Sequence, residues 1–135
     1  IEDLTTGMSA SFGKTVSEAD IVMFAGVSGD TNPVHLDQTF AEKTPFKTRI
    51  AHGMLSAGFI STVIGTKLPG PGAIYMSQTL RFKAPVKIGD TVTATCTITE
   101  IIPEKKRAVL STICKVGDTV VIEGEALIMV PSRGK

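Results

Sequence analysis

Apolar residues recur with helical spacing through the first half of the chain and alternate with polar residues through much of the second half. Ser17-Glu18-Ala19-Asp20 has capping-box character, with Asp where Glu or Gln is usual, and opens a segment holding Ile21, Phe24, Ala25 and Val27. Gly29 suits the end of that helix. Residues 30–35 read Asp-Thr-Asn-Pro-Val-His; Pro33 cannot continue the helix and pushes Asn32 toward an extended or turn conformation, so a loop carrying polar groups is expected. A short helix is predicted over 37–43 and a longer one over 53–67, with Leu55, Phe59, Ile60, Val63 and Ile64 on its buried side. That longer helix is apolar nearly all round, so other material has to wrap it.

Turn signals at 69–72, 89–90, 103–106 and 117–118 divide the second half into four antiparallel strands. Within 91–99 the alternation is clean: Val92, Ala94, Cys96 and Ile98 face a core and the threonines face outward. Helices followed by a run of long strands predict an α+β fold with the helices on one face of the sheet. There is no internal repeat and no low-complexity segment. At 135 residues and 42% hydrophobic, the chain suits a single domain over 1–135, with a core of its own and no room for a separate cofactor-binding domain.

Charge and cysteine usage narrow the function. Fourteen basic and thirteen acidic residues nearly cancel, and no basic run is interleaved with aromatics, which argues against a nucleic-acid partner. The longest apolar stretch, over 54–64, is interrupted by Ser56, Gly58, Ser61 and Thr62 and falls short of the ~20 residues that span a bilayer. No signal peptide is visible, so a cytoplasmic protein is expected; the start at Ile1 without Met leaves a mitochondrial matrix origin open. Cys96 and Cys114 lie inside strand-like runs and read as buried small hydrophobes, not as a disulfide. Two histidines without a ligand cluster imply no metal, and no cofactor is expected.

The residues that carry chemistry lie between the first two helices. On its own, Gly-Asp-x-Asn-Pro also serves as a helix C-cap followed by an Asx turn. The whole segment from Phe24 to Asp37, Phe-Ala-Gly-Val-Ser-Gly-Asp-Thr-Asn-Pro-Val-His-Leu-Asp, resembles the hydratase-2 motif of the MaoC-like dehydratases, including the five-residue step from Asp30 to His35. Ile50-Ala51-His52-Gly53-Met54-Leu55 resembles the same family's lead into its central helix. Leu68-Pro69-Gly70-Pro71-Gly72, with Gln78, Phe82 and Pro85-Val86, is similar as well. The resemblance runs from about Ser17 to Met129 and is strongest to the stand-alone R-specific enoyl-CoA hydratases.

This resemblance implies a hot-dog fold, in which an antiparallel β-sheet wraps a long central helix, and a homodimer or higher homo-oligomer. It implies reversible hydration of trans-2-enoyl-CoA to (R)-3-hydroxyacyl-CoA, with acyl-CoA, or acyl carried on acyl carrier protein (ACP), as substrate. Such hydration needs a base to activate water and an acid to protonate C2. The resemblance assigns these roles to Asp30 and His35, holding one water between them. The enolate oxygen that develops on the thioester needs preorganised donors. Gly53 suits that role at the start of the central helix, where N–H groups lack intrahelical partners and the absent Cβ admits the thioester. Asn32, His52 and Ser61 are candidate pocket residues.

Arg49, Arg81 and Lys83 are candidates to attract the CoA phosphates, against the ordinary reading of solvated surface charge. Phe40, Phe46 and Phe59 are candidate walls of an acyl tunnel. Ser56, Ala57 and Gly58 leave room near the site, while Phe59 and Met76 would close its far end, which favours acyl chains of about four to eight carbons. The alternatives are a (3R)-hydroxyacyl-ACP dehydratase, a hot-dog acyl-CoA thioesterase and a non-catalytic acyl-thioester-binding subunit. The Asp30 to His35 spacing argues against the last two.

Overall fold

The computed structural model of the chain describes residues 3–131. Its elements run β1 (Ser9–Thr15), α1 (Glu18–Ser28), α2 (Pro33–Leu36), α3 (Gln38–Ala41), α4 (Gly53–Thr66), β2 (Ile74–Gln78), β3 (Arg81–Phe82), β4 (Thr91–Ile102), β5 (Arg107–Val116) and β6 (Thr119–Met129). A single 3-10 turn, Pro103–Lys105, links β4 to β5. The strands form one six-stranded sheet in the order β1-β4-β5-β6-β2, with β3 also on β6, and every pairing is antiparallel.

The α+β reading and the alternation in β4 hold residue by residue: Val92, Ala94 and Cys96 are fully buried and Ile98 is nearly so. Their faces meet α4, whose Phe59, Ile60, Val63 and Ile64 complete the core. Each such side chain, once removed from water, contributes about 1.5–3 kcal/mol. The sheet covers only one side of α4. Gly58, Ser61 and Gly65 recur on the other side and stay exposed together with Met54, which is 54% exposed. Cys96 and Cys114 are free and buried, and burial pushes each thiol up to about 12.

Three expectations need correction. Strand β1 is absent from the sequence reading because its apolar signal is only Ala10 and Phe12. It is held instead by backbone pairing to β4 and by hydroxyl pairs on the outer face, Ser11 with Thr95 at 2.8 Å and Thr15 with Thr91 at 2.7 Å. The first strand expected after the 69–72 turn is broken into β2 and β3, so the second half holds five strands. At the break the Thr79 N–H donates to the Glu125 carbonyl at 2.9 Å, while the Thr79 carbonyl lies 1.9 Å from where a Cβ on Gly124 would stand. Only glycine admits that approach within a strand. Residues 30–35, expected as loop throughout, turn into helix α2 at Pro33, where a fixed φ and a missing N–H suit the first helical position.

Helix α1 follows the sequence closely. Ser17 and Asp20 form the reciprocal capping box, at 3.2 and 2.9 Å, and Gly29 closes the helix in the left-handed region. Ile21 and Ala25 are buried, whereas Val27 is 89% exposed. No helix among the described residues is long and apolar enough to cross a membrane.

Candidate active site

Asp30, His35, His52 and Gly53 come together on one cavity of about 470 Å³. The chain reaches it twice, through residues 30–38 and through residues 48–53, and side chains zip the two passes together. The Ile50 N–H donates to the Val34 carbonyl at 3.3 Å, and the Ile50 carbonyl accepts from His35 Nδ1 at 2.7 Å. Arg49 Nε donates to the His35 carbonyl at 2.7 Å. Gln38 Oε1 accepts from the Arg49 N–H at 3.2 Å and from the Thr48 hydroxyl at 3.3 Å. The second pass is tied to the sheet side by the Ala51 N–H, which donates to the Val86 carbonyl at 2.7 Å.

These bonds set the chemistry of His35. A carbonyl can only accept, so Nδ1 carries the hydrogen and the neutral ring keeps Nε2 as its acceptor. Burial disfavours the charged ring and holds His35 below the usual histidine value. The Ile50 bond and the Asp30 charge oppose that effect, and the neighbouring His52 reinforces it. His35 is therefore neutral near pH 7 and able to take a proton. Asp30 lies on the exposed turn after α1. One carboxylate oxygen, Oδ1, accepts from the Asn32 N–H at 3.2 Å, an Asx turn that aims the side chain.

His52 is the N-cap of α4 yet makes no side-chain cap bond, so the first N–H groups of that helix stay open where Gly53 and Met54 line the cavity. The space of the absent Gly53 Cβ is filled differently from the sequence expectation: the Phe82 ring edge stands 2.6 Å from it. Glycine at this position admits the Phe82 ring, which is 55% exposed and forms part of the cavity wall.

The structure brings Asp30, His35, His52 and Gly53 together and leaves two candidates outside. Asn32 is exposed and does not line the cavity; its Oδ1 accepts from the Val34 N–H at 3.1 Å and caps α2. Ser61 is exposed on the same side of α4 as Met54, but eight residues of helix carry it about 12 Å along the axis from Gly53, beyond the cavity lining. Arg49 is committed to the His35 carbonyl and to a salt bridge with Glu18, so it is a tie between segments, not a free phosphate ligand. Lys83 lines the cavity, with its Nζ 3.6 Å from Glu123; Arg81 does not line it.

Of the proposed tunnel residues only Phe46 is on the cavity wall. Phe59 is buried against Phe12, Phe40 is 47% exposed on α3 and Met76 is 40% exposed on β2. Ser56 lines the cavity and is buried, whereas Ala57 and Gly58 turn away from it. The remaining wall, including Val121 and Ile122, carried no sequence signal, since only the pairing of β6 with β3 brings those residues near residue 53.

Sequence spacing also hid a possible ligand set. Atoms of Asp30, His35 and His52 that could bind a metal lie within 4.8 Å of one another. The stacking of the two imidazoles, 29° apart in plane, works against that use, because their in-plane lone pairs do not readily converge on one ion.

The MaoC like domain profile matches residues 4–124. The chain is 65% identical over 133 residues to an (R)-specific enoyl-CoA hydratase of Rhodospirillum rubrum, covering 98% of this chain and 92% of that one. It is 54% identical over 132 residues to a 3-hydroxybutyryl-CoA dehydratase of Methylorubrum extorquens, covering 98% and 84%. Its fold superposes on the solved (R)-hydratase of A. caviae involved in PHA biosynthesis with a TM-score of 0.94, at 40% identity, over 97% of this chain and all of that one. A hot-dog fold, a hydratase-2 segment beside the start of its central helix, and relatives of this similarity lead to one conclusion: the chain belongs to the MaoC-like domain family.

Proposed function

We propose that the protein is an R-specific enoyl-CoA hydratase, a hydro-lyase that adds water reversibly across trans-2-enoyl-CoA to give (R)-3-hydroxyacyl-CoA. The observation that carries the reading is the convergence on one cavity of a carboxylate, a neutral imidazole with a bare Nε2 and an uncapped helix N-terminus. Asp30 and His35 hold the water between them and exchange its protons with the substrate. As the water oxygen bonds to C3, the π electrons move onto the thioester oxygen, and C2 then takes a proton. The open N–H groups at the start of α4 receive the transient negative oxygen, where the helix dipole also favours it. The curated relatives named for enoyl-CoA hydration and 3-hydroxybutyryl-CoA dehydration support the same chemistry in its two directions.

The working enzyme is a cytoplasmic homodimer. A single copy leaves the Gly58, Ser61 and Gly65 side of α4 open, together with Ile74 at 56% and Met76 at 40% exposure on strand β2. A second copy would cover such surface. The reaction is tested by following loss of the enoyl absorbance of crotonyl-CoA and coupling the product to an S-specific 3-hydroxyacyl-CoA dehydrogenase. Rapid hydration without NADH is expected. Appreciable NADH would overturn the stereochemistry, and absence of hydration would overturn the activity.

A further inference from the structure

The His52 imidazole touches both members of the proposed pair. Its Nε2–H donates to the Asp30 backbone carbonyl at 2.9 Å, and its ring stacks on His35 with centroids 4.0 Å apart and planes at 29°. On its other flank stands Phe24 of α1, at 4.7 Å. We infer that His52 is a positioning residue: a buried imidazole whose Nε2–H fixes the Asp30 backbone and whose face is the shelf for the His35 ring. The inference rests on the reading of Asp30 and His35 as the reacting pair.

Two observations separate this role from simple packing. His52 occupies the N-cap of α4, where Ser, Thr, Asp or Asn would bond the open N–H groups, and it makes no such bond. It is also only 2% exposed, and its Nδ1 has no partner. A side chain needed only to fill space would do so at less cost as Phe or Leu, with no polar atom stranded. What His52 supplies and those residues lack is a donor aimed at the turn that carries Asp30.

Apart from the Asx bond between Asp30 and the Asn32 N–H, that turn has few ties. Asp30 is exposed; its N–H donates to the Ser28 hydroxyl at 3.1 Å, and its carbonyl is held by His52. His35 is fixed at Nδ1 by Ile50, which leaves the ring free to tilt about that bond until the stack stops it. Misplacing reacting groups by about 1 Å can cost on the order of a hundredfold in rate.

Two variants divide the role. His52→Gln keeps an N–H donor at similar reach and removes the shelf; His52→Phe keeps the shelf and removes the donor. Each is expected to lower kcat for crotonyl-CoA by about tenfold to a hundredfold with KM within about threefold, since positioning acts on the transition state. In a His35→Gln background, His52→Gln is expected to leave the residual rate within about twofold, because its shelf acts through the ring already removed. A merely structural residue would instead lower activity equally in both backgrounds and in step with the folded fraction, read by circular dichroism. Should His52→Phe fail to fold, His52→Gln decides alone. Both variants within twofold of wild-type kcat, or full multiplication with His35→Gln, would overturn the inference. High activity in His35→Gln itself would instead sink the underlying pair.

Discussion

Strands β4, β5 and β6 are bonded to one another through backbone groups along nearly their whole lengths, whereas residues 30–38 and 48–53 are bonded to each other mostly through side chains. In the sheet, any residue with the right polarity keeps the ladder, and loss of one side chain leaves the pairing intact. Around the cavity most ties between the two passes depend on one side-chain donor or acceptor. Stability is thus concentrated in the sheet and α4, and the geometry of the candidate site in a strap that contributes little to the core. The two should respond separately to mutation.

The widest separation is expected from a matched pair of changes. Asp30→Asn and His35→Gln should each lower hydration of crotonyl-CoA about a thousandfold with unaltered thermal unfolding, and the double variant should be little worse than either single one. Leu110→Ala, at a fully buried position of β5, should cost about 2–5 kcal/mol of stability while activity per folded molecule is kept. A tenth of wild-type turnover in either site variant would remove that residue from the chemistry. A large loss of specific activity in folded Leu110→Ala would show that sheet and strap are coupled.

The next largest effect concerns Arg49, the residue of the strap most engaged with its surroundings. Arg49→Ala strands the His35 carbonyl and frees Glu18, so a loss of about 1–3 kcal/mol is expected, with turnover lowered about tenfold. Glu18→Gln should change stability by under about 1 kcal/mol, because Glu18 is 65% exposed. Equal effects of the two substitutions, read in chemical denaturation, would mean that the salt bridge, not the bond to His35, is what Arg49 provides.

How far the sequence reveals each region follows the same division. In β4 the period-two pattern identifies the inward residues as far as Ile98, where a bulge shifts the phase and turns Ile101 to the core, and in α1 the capping box and Gly29 mark both ends. Strand β1 escapes because small and hydroxyl residues carry no clear period, and its pairing partner lies some eighty residues away. At the site, Asp30, His35 and Gly53 are legible from the motif, but their partners are not. Gln38, Arg49 and the Ile50 carbonyl act through bonds between loops, which no local periodicity encodes. Asn32 and Ser61 stand outside the cavity of a single chain for reasons the motif does not carry: Asn32 turns its side chain back to cap α2, and Ser61 lies about two turns farther along α4.

Chain length should respond less strongly. The Ser56 hydroxyl is buried in the cavity wall without a partner, so an alkyl chain laid against it meets an unsatisfied polar atom. Ser56→Ala should raise kcat/KM for octenoyl-CoA relative to crotonyl-CoA about fivefold, or about 1 kcal/mol. An unchanged ratio would place the acyl chain elsewhere in the cavity.

The smallest effect is in pH. Burial lowers the proton affinity of His35, so the ring remains neutral to a lower pH than a free histidine, and the acid limb of kcat/KM should have its midpoint below 6.5. A midpoint above 6.5 would contradict His35 as the base.

The two cysteines of the core have a practical consequence for the rival thioesterase reaction. With both thiols inside the sheet and held up at about 12, only about one in ten thousand would be ionised at pH 8 even if a reagent reached them. A disulfide reagent that colours on contact with free thiol should therefore stay blank against the folded protein. Any colour that grows after acyl-CoA is added then reports CoA cleaved from its ester, with no background from the enzyme.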